Sequence, residues 1–328
     1  MTSSGGRVRA VPTAVVLVGG EGTRLRPLTE RIPKPMLPLL GRPILAHTFE
    51  QIAAAGASRV ILACGYRPTS IEAFFGGSYR GMELEYQVEP EPLGTAGGVA
   101  YAARGTQGPL LVLNGDSIRD VDLGALVAFH NERRALATIL LTAVDDPARY
   151  GLVRVDADGR VRDFVEKPSP EQIDTNLINA GVYVLEPEVL ELIPADRPVS
   201  IEREIFPILS ARGVLYALPL AGYWLDVGTP ESYLQAHLDL MPNEVRIDPT
   251  AVVAPTAKFH GPCVVEAGSV VEAAADVGPG VYLGAGSRVG PGARIRRAAL
   301  LPGAIVEGGA VDRAIVDPNH GIVSVGSS

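Results

Sequence analysis

Over the first 240 or so residues, apolar positions fall in short β-branched runs alternating with helical stripes. Residues 14–18 are five apolar residues, too short for a helix, and predict a buried strand of a parallel sheet. After Pro43, the positions Ile44, Leu45, Thr48, Phe49 and Ile52 share one helical face that Gly56 closes. Residues 59–64 predict a second buried strand, 68–75 a helix, and 83–88 an alternating third strand. A helix of small residues is expected over 95–103 with Thr95 as its cap, then a central strand over 109–114. Residues 122–134 predict a helix and 136–144 a strand. A hairpin follows over 152–166, turning at Asp158-Gly159. A strand over 182–185 comes next, then helices opened by Ser200 and by Thr229-Pro230. Strand and helix alternating at this spacing imply an α/β fold with right-handed crossovers and ligands beyond the carboxyl ends of the strands.

Met241-Pro242-Asn243 breaks that pattern, and the period changes to six. Ile247, Val253, Phe259, Val265, Val271, Val277, Leu283, Val289, Ile295 and Leu301 recur at this step, with glycine or another small residue between most of them. A six-residue period suits neither an α-helix nor a long alternating strand. It predicts a left-handed parallel β-helix in which three hexads close one coil. The register ends after Leu301, and residues 317–328 read as a cap and loose tail. Two domains are therefore expected, 1–242 and 243–328. Hexad repeats also serve acyltransferases, but His260 and His320 are the only histidines that could act here, and neither is read as having acidic partners. A spacer or assembly role follows. Open coil ends and the aliphatics Ile305, Val306, Val311, Ile315 and Val316 predict a homo-oligomer, most simply a dimer.

The chemistry gathers where the first strand ends. Val18-Gly19-Gly20-Glu21-Gly22-Thr23-Arg24 is a glycine loop whose backbone can approach a ligand and turn N–H groups toward an anion. Arg24, Arg26 and Lys34 follow in a loop that Pro27, Pro33, Pro35 and Pro38 keep from becoming helical. Strand, glycine loop and fixed cations suit a polyphosphate. A dinucleotide fingerprint does not fit, because Leu25 holds the third glycine position and Pro27 stops the helix. A Walker A loop is excluded, since no Gly-Lys-Ser/Thr closes the run. At the end of the central strand, Asp116 in Asn114-Gly115-Asp116-Ser117 is placed for Mg²⁺, though the same tetrapeptide is also turn grammar.

Composition narrows the partners. The 328 residues carry a formal charge of −8, so nothing global attracts nucleic acid or an anionic membrane, and a phosphate site must be a local cationic pocket. No apolar run is long enough to cross a bilayer. The N-terminal residues, small and polar, are expected to fray, and no signal-peptide core follows them. Two cysteines, Cys64 and Cys263, far apart in sequence, argue against a disulfide and for a reducing, cytoplasmic setting.

Gly20-x-Gly22-Thr23-Arg24-Leu25-x-Pro27-x-Thr29, followed by Pro33-Lys34-Pro35, resembles the signature of the sugar-1-phosphate nucleotidyltransferases, and most of all the mannose-1-phosphate guanylyltransferases. The resemblance implies the nucleotide-diphospho-sugar transferase fold, a Rossmann-like α/β fold with a mixed, mainly parallel sheet. It implies transfer of a nucleotidyl group from a nucleoside triphosphate, GTP favoured, to a sugar 1-phosphate. It also implies that Val18, Gly19, Gly20, Gly22, Thr23, Arg24 and Asp116 hold the nucleotide. The stretch Glu91-Pro92-Leu93-Gly94-Thr95 would meet the base and ribose. Arg24, Lys34 and Asp116 would carry catalysis, and Asp226 in Trp224-Leu225-Asp226-Val227-Gly228 would join Asp116 on Mg²⁺. Trp224 reads as packing that holds that loop. Gly151, Glu166 and Lys167 resemble sugar-phosphate contacts, with Asn179 a further reader of hydroxyls. Within the class, a glucose-1-phosphate thymidylyl- or uridylyltransferase is the alternative. Outside it, a non-catalytic nucleotide-sugar sensor is, and it would be expected to have lost one of the charged residues Arg24, Lys34, Asp116, Lys167 and Asp226, all present here.

Overall fold

The computed structural model describes residues 13–20, 22–65 and 68–326. Glu21 of the glycine loop and the expected fraying of the N-terminal residues before Thr13 lie outside them. The chain packs as two compact units. One comprises Met1–Gly20 with Thr48–Trp224, the other Glu21–His47 with Leu225–Ser328.

The first unit is organised on a mixed, mainly parallel sheet. Its strands are β1 (Thr13–Leu17), β2 (Arg59–Cys64), β3 (Met82–Val88), β4 (Leu110–Asn114), β5 (Ala137–Ala143), β6 (Gly151–Val155), β7 (Val161–Glu166), β8 (Leu177–Leu185) and β9 (Leu215–Pro219). They lie in the order β7-β6-β8-β4-β1-β2-β3, with the short strand Ser78–Tyr79 outside β3, β5 beside β8 and β9 beside β5. β4, β1, β2 and β3 are mutually parallel, and Val15 pairs with Ile61 on one side and Val112 on the other. Being covered on both faces explains why β1 reads as an unbroken apolar run, with Ala14, Val15 and Val16 at 0% exposure. β8 runs antiparallel to β4 and β5, and β6 with β7 forms the expected hairpin.

Four helices follow the sequence pattern closely: α1 (Ile44–Ala54), α2 (Thr69–Phe75), α3 (Gly94–Ala102) and α4 (Leu123–Arg133). α4 is capped by Asp122, whose carboxylate accepts from the Ala125 amide at 3.0 Å. α3 departs from expectation, because Leu93 and not Thr95 stands at its cap. Gly94 (φ 75°) explains the shift: a Cβ there would meet the Val199 carbonyl at 2.6 Å, so the helix start docks on the 199 backbone. Thr95 is thereby inside the helix with its hydroxyl turned to other partners. The helix after Ser200 opens with a π turn, Ile201–Ile205, before Phe206–Ala211. Pro207 has no N–H for the ordinary ladder, which accounts for the widened turn. Tyr183 and Phe206 pack edge to face at 5.1 Å within the core of this unit.

In the second unit, two- and three-residue strands stack in parallel ladders. Val245 pairs with Cys263 and Cys263 with Val281, three hexads on each time. Val252, Val270 and Arg288 form a second ladder at the same step, and Lys258, Asp276 and Arg294 a third. Val265, Val271, Val277, Leu283, Val289 and Ile295 fill the core, at 2% exposure or less. Each such aliphatic contributes about 1.5–3 kcal/mol on burial. The outer end is looser: Ile247 is 42% exposed.

Two expectations for this region are corrected. The register slips before Leu301, since Leu283 pairs with Leu300. The slip falls at Arg297, whose positive φ of 40° bends Arg294–Leu300 so that it serves two ladders. The terminal segment is not loose either. Gly321–Ser324 forms a strand antiparallel to Ala310–Asp317, because Asp317 accepts from the Asn319 and His320 amides and fixes the turn.

Candidate active site

The second unit supplies the cations. Gly22 (φ 59°) turns the loop, and its carbonyl accepts from the Thr29 hydroxyl at 2.8 Å. A Cβ at Gly22 would meet Thr29 Cγ2 at 3.0 Å and Lys34 Cβ at 3.3 Å, so the loop closes down on the lysine only because the position is glycine. Thr23–Leu25 makes a single 3₁₀ turn that buries Leu25 and leaves Arg24 exposed. Lys34 is buried, and its Nζ stands 3.6 Å from Asp226 Oδ1. Arg24 Nη2 stands 3.9 Å from Asp226 Oδ2. Arg24, Lys34 and Asp226 are thus brought together from widely separated stretches of the sequence. Gly228 makes the room: a Cβ there would meet Arg24 Nη2 and Asp226 Oδ2, each at 2.9 Å.

The first unit carries the remaining candidates. Val18 leaves β1 with its amide on the Ala63 carbonyl at 3.0 Å, and Gly19 lies against Gly65. Gly19 and Gly20 are exposed beyond the strand end. The Gly115 amide donates to the Leu17 carbonyl at 2.9 Å, which sets the Asp116 turn beside the same strand end. Glu91, Pro92 and Gly94 are exposed on the α3 approach. The Leu93 amide donates to Glu89 at 2.9 Å, which stiffens that loop.

Gly151 and Glu166 face each other in the β6–β7 register, and a Cβ at Gly151 would meet Glu166 Oε2 at 2.9 Å. Lys167 follows at φ 53°, its amide on the Tyr150 carbonyl. Asn179 Oδ1 accepts from the Gly181 amide, and its Nδ2 donates to the buried Tyr183 hydroxyl at 2.9 Å. Trp224 packs as expected, but what it braces is this region: its indole donates to the Ala180 carbonyl at 3.0 Å and its ring meets Tyr150 edge-on.

Sequence reading did not place Glu202 among the site residues, yet it is the hub here. One of its oxygens accepts from the Thr95 and Ser200 hydroxyls, both at 2.8 Å, and the other from Tyr183 at 3.3 Å. Thr95 in turn accepts from the Ile201 amide, the role that replaces its expected capping. Glu202 therefore ties α3 to the strand carrying Asn179. Burial raises the pKa of Glu166, the nearby Glu202 charge raises it further, and Arg203 and Lys167 oppose.

The expectation for the histidines of the hexad repeats needs correction. His260 stands 2.8 Å from Asp276, and His320 stands 2.9 Å from Asp317 and 3.2 Å from Glu30. Both have acidic partners that a linear reading missed. Asp276 also holds Arg296 at 2.8 Å, the arrangement of a surface ion cluster. Among the described residues, Cys64 and Cys263 are free and buried, and no helix is long and apolar enough to cross a membrane.

A strand-end glycine loop with two cations beside one carboxylate can hold a phosphate group. The family comparison agrees. Residues 13–243 match the Nucleotidyl transferase family, and the chain belongs to it. A mannose-1-phosphate guanylyltransferase of Mycobacterium tuberculosis (strain ATCC 25618 / H37Rv) is 48% identical over 232 residues, 70% of this chain and 64% of that protein. The chain thus spans less than two thirds of that relative's length. A protein of Arabidopsis thaliana, named as mannose-1-phosphate guanylyltransferase 2 with a qualifier of probability, is 39% identical over 288 residues, 78% of this chain and 78% of that protein. Among solved structures, HddC from Yersinia pseudotuberculosis has a TM-score of 0.59 at 31% identity, over 69% of this chain and 98% of that one.

Proposed function

We propose that the chain transfers a nucleotidyl group from GTP to mannose 1-phosphate, releasing pyrophosphate and forming GDP-mannose. The observation that carries this reading is the convergence of Arg24 and Lys34 on Asp226 at the glycine loop. A phosphate oxygen of the sugar attacks the α-phosphorus in line, and the bond to the pyrophosphate oxygen breaks. Catalysis of such a transfer consists of positioning and charge neutralisation. Arg24 and Lys34 neutralise the triphosphate and the departing pyrophosphate, and Lys167 pairs with the incoming phosphate. Val18, Gly19, Gly20, Gly22 and Thr23 present backbone to the phosphates, while Glu91, Pro92, Gly94 and Thr95 meet base and ribose. Gly151, Glu166 and Asn179 meet the sugar.

Asp116 and Asp226 would hold Mg²⁺. Carboxylate oxygens are the hard donors that this ion prefers. The chemistry such an ion would supply there is neutralisation of phosphate charge.

The choice of guanine and mannose is supported by the relatives' names and by HddC, which has been solved in complex with GMP-PN. Pyrophosphate release measured with five nucleoside triphosphates against mannose, glucose and heptose 1-phosphates tests it. Highest kcat/KM for GTP with mannose 1-phosphate is expected, and preference for dTTP or UTP with glucose 1-phosphate overturns it.

The parallel ladders at a three-hexad step support a left-handed β-helix domain beginning near residue 243, after a catalytic domain of about residues 1–242. Dimerisation belongs to the same reading, with Ile305 alone kept from the aliphatics expected after Leu301. Val306, Val311, Ile315 and Val316 are buried in their own chain. Ile305 (53%) and Val252 (63%) remain exposed on one ladder and would form the contact. Light scattering that finds a monomer at micromolar concentration overturns the dimer alone.

A further inference from the structure

Arg119 lies on Ser117–Asp120, the short strand leaving the Asp116 turn, and is only 5% exposed. Its Nη2 donates to the Asn114 carbonyl at 2.6 Å and to the Ser117 hydroxyl. These groups flank Gly115-Asp116, so the guanidinium head is held against the turn that carries the aspartate. Both partners are neutral. The other donors, Nε and Nη1, are buried and make no hydrogen bond. Burial lowers the Arg119 pKa to about 10, and the Asp116 charge acts against that fall. The group is therefore a cation at neutral pH.

Neutral dipoles orient toward a buried charge without cancelling it, and in an interior of low dielectric its field reaches further than in water. We propose that Arg119 makes the nucleotide-free protein a poor binder of divalent cations, so that the ion enters together with the triphosphate. The inference rests on the reading of Asp116 as a metal carboxylate. Asp226 supports it independently, since Lys34 and Arg24 already stand beside it at 3.6 and 3.9 Å. A bound triphosphate reverses the balance, because its negative charges outweigh these cations. Arg119 is a positioning residue in this scheme: it makes no contact with substrate and acts through the potential at Asp116.

The test is Mn²⁺ binding to the nucleotide-free full chain, followed by the paramagnetic resonance signal of the unbound ion. Arg119→Met and Arg119→Gln should each bind Mn²⁺ at least about tenfold more tightly than the unsubstituted protein, because each removes a unit positive charge that repels the ion. Adding Asp116→Asn to either should abolish the gain. Glutamine keeps a neutral polar donor at this position while methionine does not, so equal tightening identifies charge as the cause. Unchanged or weaker Mn²⁺ binding in variants that melt cooperatively overturns the proposal, as does tightening in only one of them. If Asp116→Asn alone leaves both Mn²⁺ binding and turnover intact, the reading of Asp116 itself has failed.

Discussion

The Lys34–Arg24–Asp226 cluster and the Glu166–Glu202 cluster balance their charges by opposite means. In the first, two cations meet one carboxylate directly. In the second, Glu202 is held by the neutral donors Thr95, Ser200 and Tyr183, while burial and like charge raise the Glu166 pKa. Two cations suit a polyphosphate. Carboxylates anchored by neutral donors suit hydroxyl groups, which need acceptors in fixed places and would gain little from a free charge. The two clusters therefore divide the proposed substrates by chemistry.

Substitutions separate the two most sharply at Lys34. Lys34→Met should lower kcat by about a hundred- to a thousandfold, the usual loss when a preorganised charge donor is removed from a transferring group. A kcat within about threefold of the unsubstituted protein would break the comparison at its strongest point. Arg24→Ala should cost less, about tenfold in kcat/KM for the triphosphate, because its side chain is 70% exposed and screened by water and salt. Its effect should shrink in molar salt while that of Lys34→Met persists.

Glu202→Gln sharpens the other side. A charge-assisted hydrogen bond is worth about 1.5–3 kcal/mol. Part of that should appear as a roughly tenfold higher KM for the sugar 1-phosphate, with kcat little changed. Equal losses for sugar and nucleotide would show that Glu202 supports the fold of both regions and reads neither.

The smallest effect is on stability. Glu166 has its folded pKa raised by burial, then by Glu202, so its ionised form is disfavoured in the native state. Glu166→Gln should melt with the unsubstituted protein below about pH 4, where the carboxyl is protonated in both states. As the pH rises, the unfolded glutamate ionises first and the unsubstituted protein loses ground. The variant should then melt about 1 °C higher by about pH 8, a small gain because the side chain is only partly buried. A variant that melts lower at that pH would contradict the assigned direction.

The α/β unit was legible because its signals are local. The apolar run of β1, the caps at Asp122 and Ser200, and the Asp158-Gly159 turn act within a few residues. The hexad period was equally plain. Glu202 was not, because its partners Thr95 and Tyr183 lie 107 and 19 positions away and nothing in its own segment marks it as their acceptor. The pairing of Lys34 with Asp226 was hidden by a still longer separation, and the motif resemblance grouped them without showing the contact. Two signals were present and went unread. Arg119 follows the Asn-Gly-Asp turn at an inward strand position, and Asp317-Pro318-Asn319-His320-Gly321 is turn grammar ahead of the aliphatics Ile322 and Val323. The slip at Arg297 was lost because an aliphatic also occupies position 301 and keeps the hexad count intact.

That slip makes the repeat region a taper and not a rod. Successive turns of one ladder shorten from eighteen residues between Cys263 and Val281 to seventeen between Val281 and Ala298, and then to sixteen between Ala298 and Ala314. The perimeter contracts only over the last two levels, and Gly321–Ser324 then crosses the last edge in the opposite direction. The stack counts its own turns and closes itself, so end-to-end growth into fibres is blocked from this side without help from another chain.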